Sequence, residues 1–570
     1  MTAYPEAALD AARDYVFSRL GTVFDEDEQL ALQLFFTNLD RRVFFMHGLP
    51  PNIGATLLAM FSRLKNPRGL RGVFVDAFLP QLLAAQLSEV EEQFGGNEAT
   101  FLRERRLSTL TAFLRHSPET KGAFKRFLEA LATDPEYLTT VADSKKARTF
   151  LATWLDKYGH NSIARMAGLW ICFEGISLLA TKTLEWNRPG SGYIELSTRY
   201  VDMSAKGCYP ISRELGTGWI DGADAQAIEK SVEEAFALYG ELAGKNFDGP
   251  FPTFLRERYR AAYADAPKDL ETGVIGETCD VLGNLLPAST LTSVGVHVSG
   301  EAFPTLLKHL LLDDTPENRA LVELLLEECP KVGGHQFARH YVPTPWERTY
   351  WQYLSPDAFR DLAGKPQSTA ELLMSYDDDD LLDPVLRLQG MFEETIPEDL
   401  PRGDHDKLPA EWEAVTVAFK GIMSFRGWRD LQRQGFCTHF RTLLTPSLGF
   451  YEYDKPGPAV LHGAFRNVAE TSVELSSFLQ KRGVPRTLCQ YPLPIGHRIG
   501  FVLMGNLRQL EFCNWQRTGF SVNHEVRQVF LAMEESVRRL CPLWGNMSRA
   551  DTIPAYIFAR GSVRKSLPCH

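Results

Sequence analysis

The sequence lacks several patterns that identify common classes of protein. Its nine cysteines are scattered over 570 residues and never stand as Cys-x-x-Cys, which disfavours a zinc site or a disulfide framework. Gly-x-Gly-x-x-Gly, Gly-x-x-x-x-Gly-Lys-Ser/Thr, His-Glu-x-x-His and Gly-x-Ser-x-Gly are also missing. The usual signals of dinucleotide folds, phosphate loops, zinc proteases and serine hydrolases are therefore missing, and we predict no metal site.

A secretory leader and a long uncharged apolar run are missing too. The amino terminus has no basic segment followed by an apolar core, and the most apolar stretch, 163–184, carries Arg165, Glu174 and Lys182. We expect a cytoplasmic protein without a membrane span, in which 163–184 is a buried helix. The net charge of −11 argues against nucleic-acid polymers and membranes as partners, although arginines in a pocket can still bind a small anion.

Length and pattern predict several domains of the α/β (α+β) class. A chain of 570 residues exceeds what one core supports. We predict a helical region over 1–140, a first repeat over 141–340, a linker over 341–402 and a second repeat over 403–560. Apolar periodicity predicts helices over 8–20, 80–94, 101–115, 163–184, 223–243, 304–312, 316–329 and 415–423, a helical stretch over 497–541 and a strand over 193–201. The acidic run 377–380 is interpreted as a solvated loop.

Two pairs of motifs recur at one spacing. Leu286-Pro287 is followed twelve residues later by Ser299, and Leu493-Pro494 is followed twelve residues later by Asn506. Both second-half motifs lie 207 residues after their first-half counterparts. Because fixed offsets are the mark of internal repeats, we interpret the chain as a diverged duplication.

Three polar residues alternate along the strand predicted over 193–201. Glu195, Ser197 and Arg199 would share one face of it. An arginine can form two hydrogen bonds to a phosphate, a serine adds a neutral donor, and a glutamate accepts from ring or ribose donors. This set suits a nucleotide monophosphate, while composition alone favours an edge strand whose Glu and Arg are solvated.

A second set of polar residues lies near the carboxy terminus. Arg517 follows Asn506 by eleven residues, which on a helix returns almost to the same face, and Arg508 stands close to Asn506. The set predicts a polar stripe that could bind a ligand. The alternative is the solvated face of a surface helix.

These segments resemble the flavin-dependent thymidylate synthases. The stretch from His160-Asn-Ser162 to Glu195-Leu-Ser-Thr-Arg-Tyr200 is similar to the opening part of that family, whose signature ends in Glu-x-Ser-x-Arg-Tyr. The stretch from Gly483-Val-Pro-Arg486 through Arg517 to Glu525 is similar to its closing part. The resemblance covers about 145–335 and 400–545.

The resemblance implies an α/β enzyme that works as a homotetramer and methylates dUMP with FAD, methylenetetrahydrofolate and NADPH. It implies that Ser197 and Arg199 bind the nucleotide, that Glu195 lies between nucleotide and flavin, and that Arg517 contacts the pyrimidine as the catalytic residue. The remaining candidates are Arg433 for the substrate and His160, Arg188, Asn506 and Arg508 for the flavin.

The departures from the family pattern complement one another. The first half keeps Glu195-Leu-Ser-Thr-Arg-Tyr200, called the strand motif below, but has Leu310 where the second half has Arg517. The second half keeps Arg517 but lacks the strand motif over 437–444. An arginine expected shortly before each Leu-Pro is Gly283 in one half and Gln490 in the other. We therefore expect one composite site per chain and a homodimer that rebuilds the four-lobed assembly.

One further departure leaves the acceptor open. The Arg-His-Arg segment of the family is here Asn187-Arg188-Pro189. We expect methylation of a pyrimidine nucleotide such as dUMP. The alternatives are methylation of a different nucleotide or specialised metabolite, and a non-catalytic flavin- or nucleotide-binding scaffold.

Overall fold

The structure is a computed structural model with two compact units. It describes residues 4–78, 149–153, 162–373, 384–385, 387 and 406–553, apart from 26–27, 30–31, 34, 50, 187–189, 199–200 and 205. Unit 1 comprises the described residues of 1–197 and 291–350, and unit 2 those of 198–290 and 351–570. The units thus cut across the two repeats expected from the sequence, because 198–290 groups with the second half.

The fold is mixed α and β, as expected. Its strands are β1 (Val43–Met46), β2 (Gly168–Ser177), β3 (Ser191–Glu195), β4 (Leu291–Ser299), β5 (Thr369–Leu372), β6 (Thr416–Ser424), β7 (Thr438–Arg441) and β8 (Arg498–Asn506). The α-helices of unit 1 span Glu6–Phe17, Pro51–Met60, Gly69–Val73, Ser162–Arg165, Leu178–Leu184, Phe303–Leu312, Pro316–Glu328 and Pro345–Tyr350. Those of unit 2 span Ile211–Leu215, Gly222–Ala243, Pro250–Tyr259, Pro267–Leu282, Arg360–Ala363, Phe425–Gln432, Ala459–Lys481, Leu507–Arg517, His524–Leu540 and Pro542–Met547.

Each unit contains one antiparallel sheet, and the two sheets have the same strand order. Unit 1 has β1-β2-β4-β3 and unit 2 has β5-β6-β8-β7. In unit 1 the helices Phe303–Leu312 and Pro316–Glu328 pack on the sheet around Val294, Val296 and Phe303. In unit 2 the helix His524–Leu540 packs on β5 and β6.

Three of the helix predictions are wrong. The run 163–184 forms β2 and then the short helix Leu178–Leu184, and 415–423 forms β6. The stretch 497–541 divides into β8 and the helices Leu507–Arg517 and His524–Leu540. Both β2 and β6 are central strands that are buried almost throughout, so their sequences show a continuous apolar run and lack the alternation that marks a half-exposed strand.

The amino-terminal region is only partly described. The helix expected over 8–20 is present as Glu6–Phe17, and β1 adds a strand to a region expected to be helical because it pairs with β2 through Val43–Phe173 and Met46–Trp170. The helices expected over 80–94 and 101–115, and the acidic run 377–380, lie outside the described residues.

Candidate functional site

A buried glutamate fixes the end of each central strand. In unit 1, Glu317 accepts hydrogen bonds from the backbone N–H of Ser177 (2.9 Å) and from its hydroxyl (2.6 Å), while Ser177 Oγ caps the following helix at Ala180. In unit 2, Glu525 accepts the same two bonds from Ser424, whose Oγ caps the helix Phe425–Gln432. The helices that directly follow β2 and β6 therefore begin with the same cap in the two halves.

The two Leu-Pro motifs lie side by side within unit 2. The Ala288 N–H donates to the Leu493 carbonyl, and the Ile495 N–H donates to the Leu286 carbonyl, each at 2.8 Å. Pro287 and Pro494 form an antiparallel bridge. This reciprocal pattern, in which each motif makes to the other the bond that it receives, is that of an isologous contact around a two-fold axis.

Glu195 ends β3 and its side chain is fully buried in unit 1. Its Oε2 lies 2.9 Å from the Lys182 ammonium, and its Oε1 accepts a bond from the Thr181 hydroxyl at 3.4 Å. Glu195 is therefore held by the helix Leu178–Leu184, contrary to the solvated charge of an edge strand. The next candidate, Ser197, is half-buried, and its N–H donates to the Ser62 carbonyl at 3.1 Å.

The last described residue of the strand motif contacts a second-half arginine. Thr198 belongs to unit 2, where its Oγ1 accepts a hydrogen bond from Nη1 of the buried Arg429 at 3.4 Å. Arg429 lies on the helix capped by Ser424. The structure therefore brings a cation of the second half to the residue between Ser197 and Arg199.

Asn506 and Arg517 do not form the helical stripe that their spacing predicts. Asn506 is the last residue of β8, and its Oδ1 caps the helix Leu507–Arg517 by accepting from the Gln509 N–H at 2.8 Å. Arg508 forms an ion pair with Glu413, and its Nε has no hydrogen-bond partner within the described part of the chain. The eleven-residue spacing is therefore wrong as evidence of a shared face, because a strand-to-helix junction interrupts it.

Arg517 ends the same helix, one turn after Cys513. The Cys513 thiol donates to Gln434 Oε1 at 3.1 Å, and Gln434 follows the exposed Arg433. A hydrogen bond with Cys437, supplemented by the positive charge of Arg517, holds the pKa of the buried Cys513 thiol below its usual value. Arg433 and Arg517 thus stand on two segments that pack on each other.

The sheet registers identify the second-half residue that is equivalent to Glu195. Glu195 pairs with Val294, the fourth residue of β4, and Arg441 pairs with Phe501, the fourth residue of β8. An arginine therefore occupies the position of Glu195, which agrees with the motif loss expected over 437–444.

The helices that Ser177 and Ser424 cap also align with each other. Lys182 and Glu185 come five and eight residues after Ser177, and Arg429 and Gln432 come five and eight residues after Ser424. Sequence reasoning missed Lys182 and Arg429. Extending the comparison of the two halves beyond Ser177 and Ser424 would have paired them.

Both positions that lack the expected arginine are filled. Gln490 Oε1 accepts from the Leu444 N–H at 2.9 Å. A Cβ on Gly283 would lie 2.5 Å from Nε of Arg426, whose guanidinium forms a buried ion pair with Asp280 at 2.7 Å. Side chains of the protein thus take up the space near each Leu-Pro motif.

Three candidates lie outside the described residues, namely His160, Arg188 and Arg199. Among the residues that are described, no three His, Cys, Asp or Glu side chains are arranged to bind a metal ion. No described helix is long and apolar enough to cross a bilayer.

Comparisons with known proteins find relatives along most of the chain. A UPF0159 protein of Chlamydia muridarum is 23% identical over 91% of this chain and 94% of its own length, and UPF0159 protein Ta1429 of Thermoplasma acidophilum is 24% identical over 74% and 93%. Among solved structures, the UMP/dUMP methylase PolB from Streptomyces cacaoi bound with 5-Br dUMP is similar at 18% identity and a TM-score of 0.28, over 33% of this chain and 98% of PolB.

A family model matches the part of the chain that contains the strand motif. Residues 115–333 match the family described as thymidylate synthase complementing protein. Glu195, Ser197 and Arg199 fall inside this match, and Asn506, Arg508 and Arg517 fall outside it. Over residues 115–333 the chain is therefore similar to the flavin-dependent thymidylate synthase (ThyX-like) family.

Proposed function

We propose that this protein is a flavin-dependent enzyme that transfers a one-carbon unit to a pyrimidine nucleotide such as dUMP. The observation that carries the proposal is the contact of Arg429 with Thr198 at 3.4 Å. It supplies a buried cation beside the strand motif at a point where most of the basic segment of the family, here Asn187-Arg188-Pro189, has been lost. A guanidinium at this place suits the phosphate of a nucleotide.

Each candidate residue then has one role. Ser197 and Arg199 bind the nucleotide phosphate and Arg433 assists them from the second half. Glu195 accepts hydrogen bonds from the nucleotide. Arg517 contacts the pyrimidine and stabilises negative charge as the ring becomes nucleophilic. Because the guanidinium is already in place, this stabilisation requires no rearrangement of the protein during the reaction.

The described residues fit a flavin at one end of the helix Leu507–Arg517. Nε of Arg508 is a buried donor without a hydrogen-bond partner among them, and the amide of Asn506 uses its oxygen for capping, so both side chains have N–H groups to offer to flavin acceptors. His160 and Arg188 complete the proposed flavin contacts. When bound, FAD reduced by NADPH would supply the hydride, and methylenetetrahydrofolate would supply the carbon.

We further propose that the halves arose by duplication, that one site per chain is active, and that two chains form a cytoplasmic homodimer. The equal strand orders of the two sheets and the reciprocal Leu-Pro contact support the duplication. Arg441 at the register position of Glu195 supports the loss of the second site, because a cation there reverses the charge of the motif.

The test starts from the absorption spectrum of the purified protein. Flavin bands that NADPH bleaches, at about one flavin per chain, together with thermal stabilisation by dUMP, are expected. Arg517→Ala should abolish turnover and leave the melting temperature within a few degrees of the wild type, because it removes charge and no core volume. Arg539→Ala is the matched control, since this arginine is exposed and its ion pair within the described part of the chain is with Glu535 on its own helix.

The remaining outcomes separate the alternatives. Bleaching by NADPH without stabilisation by dUMP indicates a different acceptor. Bound flavin that NADPH does not reduce indicates a non-catalytic scaffold, and no flavin at all refutes the proposal. Two flavins per chain would contradict a single active site.

A further inference from the structure

A buried cluster of three charged side chains lies behind the strand motif in unit 1. The ammonium of Lys182 is 2.9 Å from Glu195 Oε2 and makes a closer contact with Glu185 Oε2. Side-chain exposures are 0% for Lys182, 0% for Glu195 and 2% for Glu185. Charges are buried at this depth only where partners hold them in place, so the cluster has a fixed geometry.

The lysine is anchored at two points. Lys182 lies on the helix capped by Ser177, and Glu185 directly follows the end of this helix, so the pair Lys182–Glu185 is local. Glu195 belongs to the strand motif on the other side of the Pro-Gly break. The ammonium thus links a capped helix to β3, whose last residue is Glu195.

The cluster occurs only in the half that retains the strand motif. At the equivalent positions of the second half stand Arg429, Gln432 and Arg441, so both acidic positions have lost their negative charge. The capped serine and its glutamate are retained there nevertheless. The fold of the half therefore does not require the two carboxylates, whereas the intact motif coincides with them.

One oxygen of the cluster has no donor. Oε1 of Glu185 is buried and has no hydrogen-bond partner among the described residues. Leaving a buried carboxylate oxygen without a donor costs about 1–3 kcal/mol. It lies on the residue two positions before Asn187-Arg188-Pro189, the segment that corresponds to the flavin-binding Arg-His-Arg of the resemblance.

We propose that Lys182 is a positioning residue that holds the Glu195 carboxylate in its ligand-binding orientation, and that Glu185 anchors Lys182 for this task. The inference rests on the proposed function for the identity of the ligand. The positioning itself concerns residues of this chain alone and can be measured without any ligand.

The first measurement is hydrogen–deuterium exchange of the peptide that covers 191–198, on the full chain without ligand. Lys182→Met should increase exchange there, and Lys182→Arg should restore the wild-type level. Arg71→Met is the matched control, because it breaks another buried ion pair of unit 1, with Glu174 of β2, and leaves the Lys182–Glu195 pair intact. Equal exchange at 191–198 in Lys182→Met and the wild type, or the same increase in Arg71→Met, overturns the proposal.

The second measurement uses nucleotide and turnover. Glu185→Gln should fold, since the second half has Gln432 at this place, and should raise the KM for dUMP with a smaller change in kcat. Lys182→Met should lower kcat/KM by about 10- to 100-fold, the size expected for a lost charge-assisted hydrogen bond, and Lys182→Arg should recover most of it. An unchanged KM in Glu185→Gln refutes the anchoring role. If the wild type shows neither flavin nor turnover, the proposed function fails, and the exchange experiment still decides the positioning.

Discussion

The paired serine caps allow a quantitative test of whether the two halves are built alike. Ser424→Ala removes the bond from the Gly427 N–H to Ser424 Oγ (2.9 Å) and the bond from the Ser424 hydroxyl to Glu525 (2.5 Å). Ser177→Ala removes the corresponding bonds at Ala180 and Glu317. In both variants the backbone N–H of residue 177 or 424 still donates to the glutamate.

The expected loss follows from these two bonds. Loss of an N-cap costs about 1 kcal/mol, and loss of a hydrogen bond to a charged group costs about 1.5–3 kcal/mol, so each variant should lose about 2.5–4 kcal/mol. Equivalent geometry predicts that the two losses agree within about 1 kcal/mol. Ser355→Ala is the control. Ser355 is an exposed cap whose hydroxyl accepts a hydrogen bond from the Asp357 N–H and from no other donor among the described residues, so this variant should lose about 0.5–1 kcal/mol.

The assay must resolve the two helices, because a chain with two compact units is not expected to unfold in a single two-state step. Native-state hydrogen exchange of the peptides covering 178–184 and 425–432 gives the local free energy of opening. Ser177→Ala should accelerate exchange in the first peptide and Ser424→Ala in the second. A loss in either variant no greater than that in Ser355→Ala would refute the role assigned to the buried glutamates.

Two further predictions concern the buried charges of unit 2. Arg426→Met should destabilise unit 2 by about 3–5 kcal/mol because it removes the buried guanidinium that pairs with Asp280, and adding Asp280→Asn should recover part of the loss, as measured by native-state hydrogen exchange of the helix Phe425–Gln432. Burial raises the pKa of Glu277, but Lys455 and the hydroxyls of Tyr259 and Tyr453 more than offset this and lower it below its usual value. Glu277 therefore stabilises the folded state above about pH 4.5, and this stabilisation is lost as the pH falls through the lowered pKa. The difference in urea midpoint between wild type and Glu277→Gln, measured from pH 7 to 3, should shrink with falling pH; a constant difference would contradict the charge state.

Amphipathic helices were predictable from the sequence, and buried strands were not. The helices Gly222–Ala243, Phe303–Leu312 and Pro316–Glu328 agree with expectation within one residue, because their apolar positions repeat with the helical period and a proline or a capping side chain marks their start. The segments that form β2 and β6 were expected to be helical because central strands carry no alternation. Central strands of this kind are identified by the strands that pair with them on either side, and the local sequence pattern does not contain that information.

The candidate site shows the same limit. The strand motif was visible because Glu195, Ser197 and Arg199 alternate within five residues. Lys182 was not, because thirteen residues and a Pro-Gly break separate it from Glu195, and only the fold brings the two charges to 2.9 Å. The spacing of Asn506 and Arg517 was misleading for a related reason: Asn506 caps the helix that Arg517 ends, so the helical period does not connect them.

The two halves differ in their charges more than in their framework. Both keep the serine, the glutamate that binds it and the order of strands. An unsatisfied buried carboxylate or helix end would cost stability in either half. A ligand site needs its charges only once per chain. The equivalent positions differ in charge: one half has Lys182, Glu185 and Glu195, and the other has Arg429, Gln432 and Arg441. This contrast is the pattern that one retained site and one lost site would leave.

If the lost site is only a matter of charge, then Arg441→Glu combined with Gln432→Glu should be tolerated by the framework of unit 2. Arg441, however, is packed among Tyr353, Phe425 and Trp428, so its loss would also remove buried contacts with three aromatic rings. In the second half, aromatic side chains therefore pack around the cation at the position of Glu195. Restoring the motif there would require these side chains to repack, in addition to the change of charge.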